Sequence, residues 1–111
     1  HVAHGEANAL LLPYCMEKNV PACPERFRDI AQALGEDVSA RSSEEAAKLA
    51  AKAAFRLAED LHIPTKLHEV GVTREMFDAI VEGTMAYRML SINPMKITEQ
   101  DVRDILEAAY A

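Results

Sequence analysis

Four apolar residues in succession, Ala9 to Leu12, lead into Pro13 and are followed by Tyr14, Cys15 and Met16. Read as a helix over residues 5–18, this stretch is apolar on most of its sides, and such a helix must be covered on several faces at once. The rest of the chain is therefore expected to pack around it. Pro13 lies inside the pattern, removes one intrahelical bond to the carbonyl of Ala9, and should bend the helix there. Glu6 places a negative charge near the positive helix end, and Asn19, Pro21 and Pro24 mark its stop.

The remaining periodicities are helical. Pro24 fits the first turn of a second helix, with Phe27, Ile30, Ala31 and Leu34 on one face and Gly35 as terminator. Ser42 with Glu45 has the spacing of a capping box. It opens an alanine-rich helix to about Leu61, with Ala46, Ala50, Ala53, Leu57 and Leu61 as the expected core stripe. Thr73 is the expected cap of a fourth helix that buries Met76, Phe77, Ile80, Val81 and Thr84 and runs toward Leu90. Asn93-Pro94 is a turn signal. Thr98 with Asp101 is a second capping box, ahead of a last helix using Val102, Ile105, Leu106 and Ala109. Met76, Met85 and Met89 fall at core spacing. No segment alternates at period two. The expectation is one all-α domain over residues 1–111, a bundle of about five to six helices, able to bury roughly 65 per cent of its unfolded surface.

Several function classes are set aside by charge and pattern. The formal charge is −6 and no Lys/Arg run forms a basic stripe, which argues against nucleic acid as a partner. No 18-residue apolar stretch exists to span a membrane, and no signal peptide is evident. Two cysteines, Cys15 and Cys23, are too few for a disulfide framework and read as free thiols in a reducing, cytoplasmic compartment. The chain opens on His1 without a loose polar leader. We expect a piece of a larger protein whose N-terminal part lies outside these residues.

His4 is the sharpest chemical candidate. It would sit just before the first turn, beside free backbone N–H groups, where a neutral imidazole offers a lone pair to a metal. The plainer alternative is a histidine that caps the helix or is satisfied by a backbone carbonyl. One histidine is not a centre, because a catalytic zinc or iron site takes about three protein ligands and an open position. His1 reads as a loop residue, and His62 and His68 as surface residues of a connector around Pro64. Glu6 reads as a first-turn dipole partner, and Asn8 as an amide that could orient a neighbour. The free N–H groups of residues 5–8 could hold an anion. No catalytic residue and no cofactor-binding residue can be assigned from spacing.

The stretch His4-Gly5-Glu6-Ala7-Asn8-Ala9-Leu10-Leu11-Leu12-Pro13 resembles the His-Gly-x-x-Asn-Ala-x-x-x-Pro signature of iron-containing alcohol dehydrogenases. Further similarities run along Arg28-Asp29-Ile30-Ala31 with Leu34-Gly35, Leu61-His62-Ile63-Pro64 with Val70-Gly71-Val72, and Asn93-Pro94 with Ile97-Thr98 and Asp101. The resemblance implies the C-terminal helical domain of the dehydroquinate synthase-like fold, without the N-terminal α/β domain that binds NAD or NADP. It implies a divalent metal, iron with zinc as the alternative, held by one Asp and three His, of which only His4 has a counterpart here. It implies alcohol–aldehyde interconversion by hydride transfer on a small substrate, with these 111 residues alone inactive. A zinc-using polyol dehydrogenase, or a helical interaction module without catalysis, are the competing expectations, and self-association through the apolar first helix into a homodimer is a further one.

Overall fold

A computed structural model describes all 111 residues, His1–Ala111. Five α-helices and four short 3₁₀ turns make up the regular structure, with no strand: α1 (His4–Asn19), α2 (Pro24–Ala33), α3 (Ser43–Asp60), α4 (Phe77–Met85) and α5 (Glu99–Tyr110). The 3₁₀ turns occupy Val20–Ala22, Leu67–Val70, Arg74–Met76 and Arg88–Ile92. No helix is long and apolar enough to cross a membrane.

The bundle has two apolar cores, and α1 belongs to both. Met16 joins Val20, Phe27, Ala31, Val38 and a row of α3 alanines in the first core. Leu10, a turn and a half earlier, joins Leu67, Phe77, Val81, Val102, Leu106 and Ala109 in the second. α1 is thus the shared wall between an α2–α3 layer and an α4–α5 layer. Two distinct sides of one apolar helix are used, in keeping with its all-round hydrophobicity.

The α2–α3 contact is a seam of small residues. Ala31 of α2 and Ala46, Ala47 and Ala50 of α3 are fully buried. Side chains without bulk let the two backbones approach, and van der Waals contact is recovered backbone against backbone. This shifts the expected α3 stripe. Ala46, Ala50 and Ala53 are buried as expected, and Ala47, Ala51 and Ala58 join them, while Leu57 and Leu61 stand 50 % and 61 % exposed. α3 packs against both α1 and α2, so its buried arc is centred on the alanines and its last leucines fall at the edge.

Caps account for where the helices begin. Thr98 Oγ1 accepts from the Asp101 N–H at 3.2 Å while the Asp101 carboxylate accepts from the Thr98 N–H at 2.9 Å, completing the capping box at α5. Ser42 at α3 is a one-sided cap: its hydroxyl accepts from the Glu45 N–H at 3.2 Å, and no return bond from Glu45 is present. Gly71 sits at φ +84°, a left-handed position that suits glycine, and ends the Leu67–Val70 turn.

The fourth helix departs most from expectation. Thr73 makes no side-chain cap, a 3₁₀ turn intervenes, and α4 starts at Phe77 and ends at Met85, short of Leu90. Gly83 lies within it and does not break it. Near its end, Thr84 Oγ1 donates to the Ile80 carbonyl at 2.7 Å, a side-chain competitor for the helix ladder. Beyond it, Asn93 exchanges amide bonds with Asn19 at the end of α1, at 3.1 and 2.7 Å, and donates to the Met95 carbonyl. The segment is tied to α1 rather than continued as helix. Met76, in the 3₁₀ turn before α4, and Met89, in the turn after it, are exposed and not core, and Met85 is half-buried.

Candidate metal-ligand end of the first helix

His4 is the first residue of α1, with Ala3 as its N-cap in an extended conformation. Ala3 brings no side-chain acceptor, and its carbonyl accepts the Ala7 N–H at 3.0 Å. The first N–H groups of the helix therefore have no capping side chain. His4 was expected just before the first turn of a buried helix; it is instead the first residue of that helix, whose opening turn is largely exposed, with residues 4–6 and 8 exposed and Ala7 half-buried. Burial begins at Leu10, where the α4–α5 layer meets α1.

The His4 ring has one polar partner. Asn8, one turn on, donates from Nδ2 to His4 Nε2 at 3.0 Å. With the amide as donor, the ring proton sits on Nδ1 and Nε2 is the basic nitrogen. The four-residue spacing places the two side chains one above the other on the helix. Asn8 is thus the orienting amide that its position allowed. Glu6 is exposed in the first turn, consistent with a dipole partner.

The other histidines do not join this end. His1 is an exposed residue ahead of the helix. His62 is exposed at φ +57°, and His68 is exposed on the Leu67–Val70 turn with its ring 6.0 Å from that of Tyr110. Nowhere do three or more His, Cys, Asp or Glu side chains gather as a metal would need. The donor set at the end of α1 is one imidazole, which fits one corner of a metal site and not a whole one.

Cys15 and Cys23 are free thiols, both half-buried. Burial pushes the Cys15 thiol up from its ordinary range, which makes it a poor thiolate and a poor metal donor. Cys23 Sγ donates to the Asn19 carbonyl at 3.8 Å.

Patterning did not reveal the groove on the same helix. Ala9, Leu12 and Met16 of α1, Phe27 and Ile30 of α2 with Leu34 just past its end, and Leu57 of α3 with Leu61 just past its end line an open apolar hollow of about 560 Å³. Leu12 is 52 % exposed. The available signal was the presence of more large aliphatics on α1, α2 and α3 than a small-residue seam can bury.

The C-terminal family model of the Fe-containing alcohol dehydrogenases matches residues 1–110. Among curated relatives, lactaldehyde reductase of Escherichia coli K12 is 36% identical over 107 residues, covering 96% of this chain and 28% of that protein. The 1,3-propanediol dehydrogenase of Citrobacter freundii is 37% identical with the same coverage. Among solved structures, 1,3-propanediol oxidoreductase superposes with a TM-score of 0.93 at 37% identity, covering 97% of this chain and 28% of that one. The alcohol dehydrogenase from Oenococcus oeni gives 0.92 at 39% identity, covering 96% and 28%. The chain thus spans little more than a quarter of the length of the proteins it matches, and its helical fold is theirs over that span.

Proposed function

The chain belongs to the Fe-containing alcohol dehydrogenase family, and from that premise we propose that it is the C-terminal helical portion of a metal-dependent, NAD(P)-linked alcohol dehydrogenase. In this reading the intact protein also contains an N-terminal nucleotide-binding domain and the remaining metal ligands, one Asp and two His. Residues 1–111 form one helical domain that contributes a single ligand, His4. Family membership rests on the match over residues 1–110, and the observation that gives His4 its role is an imidazole at the start of α1, exposed and aligned by Asn8. The substrate class is a primary alcohol and its aldehyde. The relatives lactaldehyde reductase, 1,3-propanediol dehydrogenase and long-chain-alcohol dehydrogenase share that functional group by name.

When bound, the divalent metal supplies Lewis acidity at the substrate oxygen and the nicotinamide carries the hydride. The residues of this chain do the positioning. His4 presents Nε2 as the ligating atom, because Nδ1 holds the proton when the Asn8 amide donates. Asn8 holds the ring through that same lone pair, so a metal would bind at Nε2 only by displacing the amide hydrogen bond. The buried half of α1 keeps the helix from turning. Iron is the proposed metal by family, and imidazole ligation suits it. A homodimer in a cytoplasmic setting completes the reading.

The test is made on the full-length gene product. His4→Ala should lower bound iron, measured by elemental analysis, to well below one per chain and abolish NAD(P)H-linked aldehyde reduction, with the helical circular dichroism unchanged. Full iron occupancy in that variant would refute the assignment. The 111 residues alone, given NAD(P)H, a short aldehyde and added iron or zinc, should show no turnover.

A further inference from the structure

A second cavity, of about 170 Å³, lies in the α4–α5 layer. α1 and α4 each pack on α5 and scarcely on one another, and the cavity is the space left between them. Its apolar walls are Leu11 of α1, Ile80 of α4, Leu90 of the Arg88–Ile92 turn, and Val102, Ile105 and Leu106 of α5. The early end of α4 explains why it stays open. Past Met85 the chain crosses to Asn19 as a 3₁₀ turn, which roofs the gap instead of filling it. All twelve lining residues are buried or half-buried and none is exposed. This is an interior space, too enclosed to seat another helix.

The polar groups around it are already engaged. Asn19 and Asn93 bond each other, and Asn93 also donates to the Met95 carbonyl at 2.8 Å. Thr84 gives its hydroxyl proton to the Ile80 carbonyl. Lys18, the one cation at the wall, lies 3.5 Å from both Asp101 and Asp104. Burial raises the pKa of Cys15, so that part of the wall is a neutral thiol. No buried side-chain nitrogen or oxygen lacks a partner. An interior water needs two to four free polar partners, and this cavity does not offer them. An ion would find no free countercharge in it.

We propose that this cavity is a binding site for one neutral apolar molecule the size of a benzene ring or a short hydrocarbon chain, separate from the His4 end of α1. Size and chemistry both favour such a guest. A dry cavity of about 150 Å³ lined by aliphatic side chains is enough to hold benzene. The site is remote from the imidazole: Leu11, its nearest α1 wall, is seven residues past His4, about 10 Å along the helix. A guest this small, held by dispersion alone, should bind with a dissociation constant on the order of a millimolar.

The probe is fluorobenzene, titrated into the full-length protein and followed by fluorine NMR. Saturable binding of one molecule per chain is expected, and its absence would overturn the proposal. Val102→Phe puts a ring into the cavity and should weaken binding by at least about tenfold, because a close-packed interior has no second space for the guest. Leu90→Phe fills it from the other wall should the Val102 variant fold poorly. Unchanged binding in the folded filling variant would place the guest elsewhere and sink the idea. Leu57→Ser, in the groove, should leave binding as it was; a loss there would assign the guest to the groove instead. Benzene should displace the probe, whereas butanoate and butylammonium, ions of similar size, should not. Displacement by either ion would refute the neutral character of the site. Displacement by a short aldehyde at saturating NAD(P)H would mean that the probe sits in the catalytic cleft, and would equally overturn the proposal.

Discussion

Leu10 and Leu12 are two residues apart on α1 and should respond to truncation very differently. Leu10 is 2 % exposed, at the centre of the α4–α5 core. Replacing it by alanine removes three carbons, worth about 2.4 kcal/mol at roughly 0.8 per methylene. The space left behind among Leu67, Phe77, Val81, Leu106 and Ala109 adds a cavity cost, because helices pinned by two layers relax little, and brings the expected loss to between about 2.5 and 5 kcal/mol. Leu12 already has half its surface in water, so Leu12→Ala should cost about 1 kcal/mol or less in the 111-residue chain. Urea unfolding followed by circular dichroism at 222 nm measures both, provided the slope of free energy against denaturant is unchanged. A loss below about 1.5 kcal/mol for Leu10→Ala would refute the placement of α1 as the wall of a well-packed core.

Further outcomes are expected. Thr98→Ala removes the hydroxyl half of the α5 cap and should lower stability by about 1 kcal/mol in the same assay. The Asp101 carboxyl is held below its ordinary range, chiefly by the Thr98 backbone N–H and then by its side chain. A depressed carboxylate stabilises the fold above its unfolded pKa of about 3.9, and that contribution is lost as pH falls through the lower folded value. The stability–pH slope below about pH 4 should therefore be shallower in Asp101→Asn, and an unchanged slope would show that the carboxylate carries no such linkage. Gly71→Ala forces a side chain into a left-handed position and should cost about 1 kcal/mol or more, whereas Gly83→Ala in α4, with open space around it, should be neutral to stabilising by up to about 1 kcal/mol.

Helix identity was legible wherever a local rule and a packing rule agreed. Thr98 with Asp101, Pro24 at the first turn of α2 and the apolar run of α1 each specify a helix by themselves, and each is there. The α3 face was only half legible. Alanines at 46, 50 and 53 could be placed, but the side of the helix that turns inward depends on two neighbours, α1 and α2, which no single-helix pattern encodes. α4 was misjudged because the chain past Met85 breaks into a 3₁₀ turn and is then tied to α1 by the Asn93–Asn19 pair, a long-range bond that no local pattern encodes. At the candidate site, the motif around His4 singled out the imidazole that opens α1 and the Asn8 amide one turn on, which the structure places in hydrogen-bond contact. The groove escaped notice because it is made from the leftover edges of three helices.

Braced by one layer at Leu10 and by another at Met16, the middle of α1 is a fixed post, and its first turn projects beyond the brace. An imidazole mounted there has no hinge of its own. If His4 ligates a metal as proposed above, the other ligands would have to be brought to it, and the post would be the fixed point of that assembly.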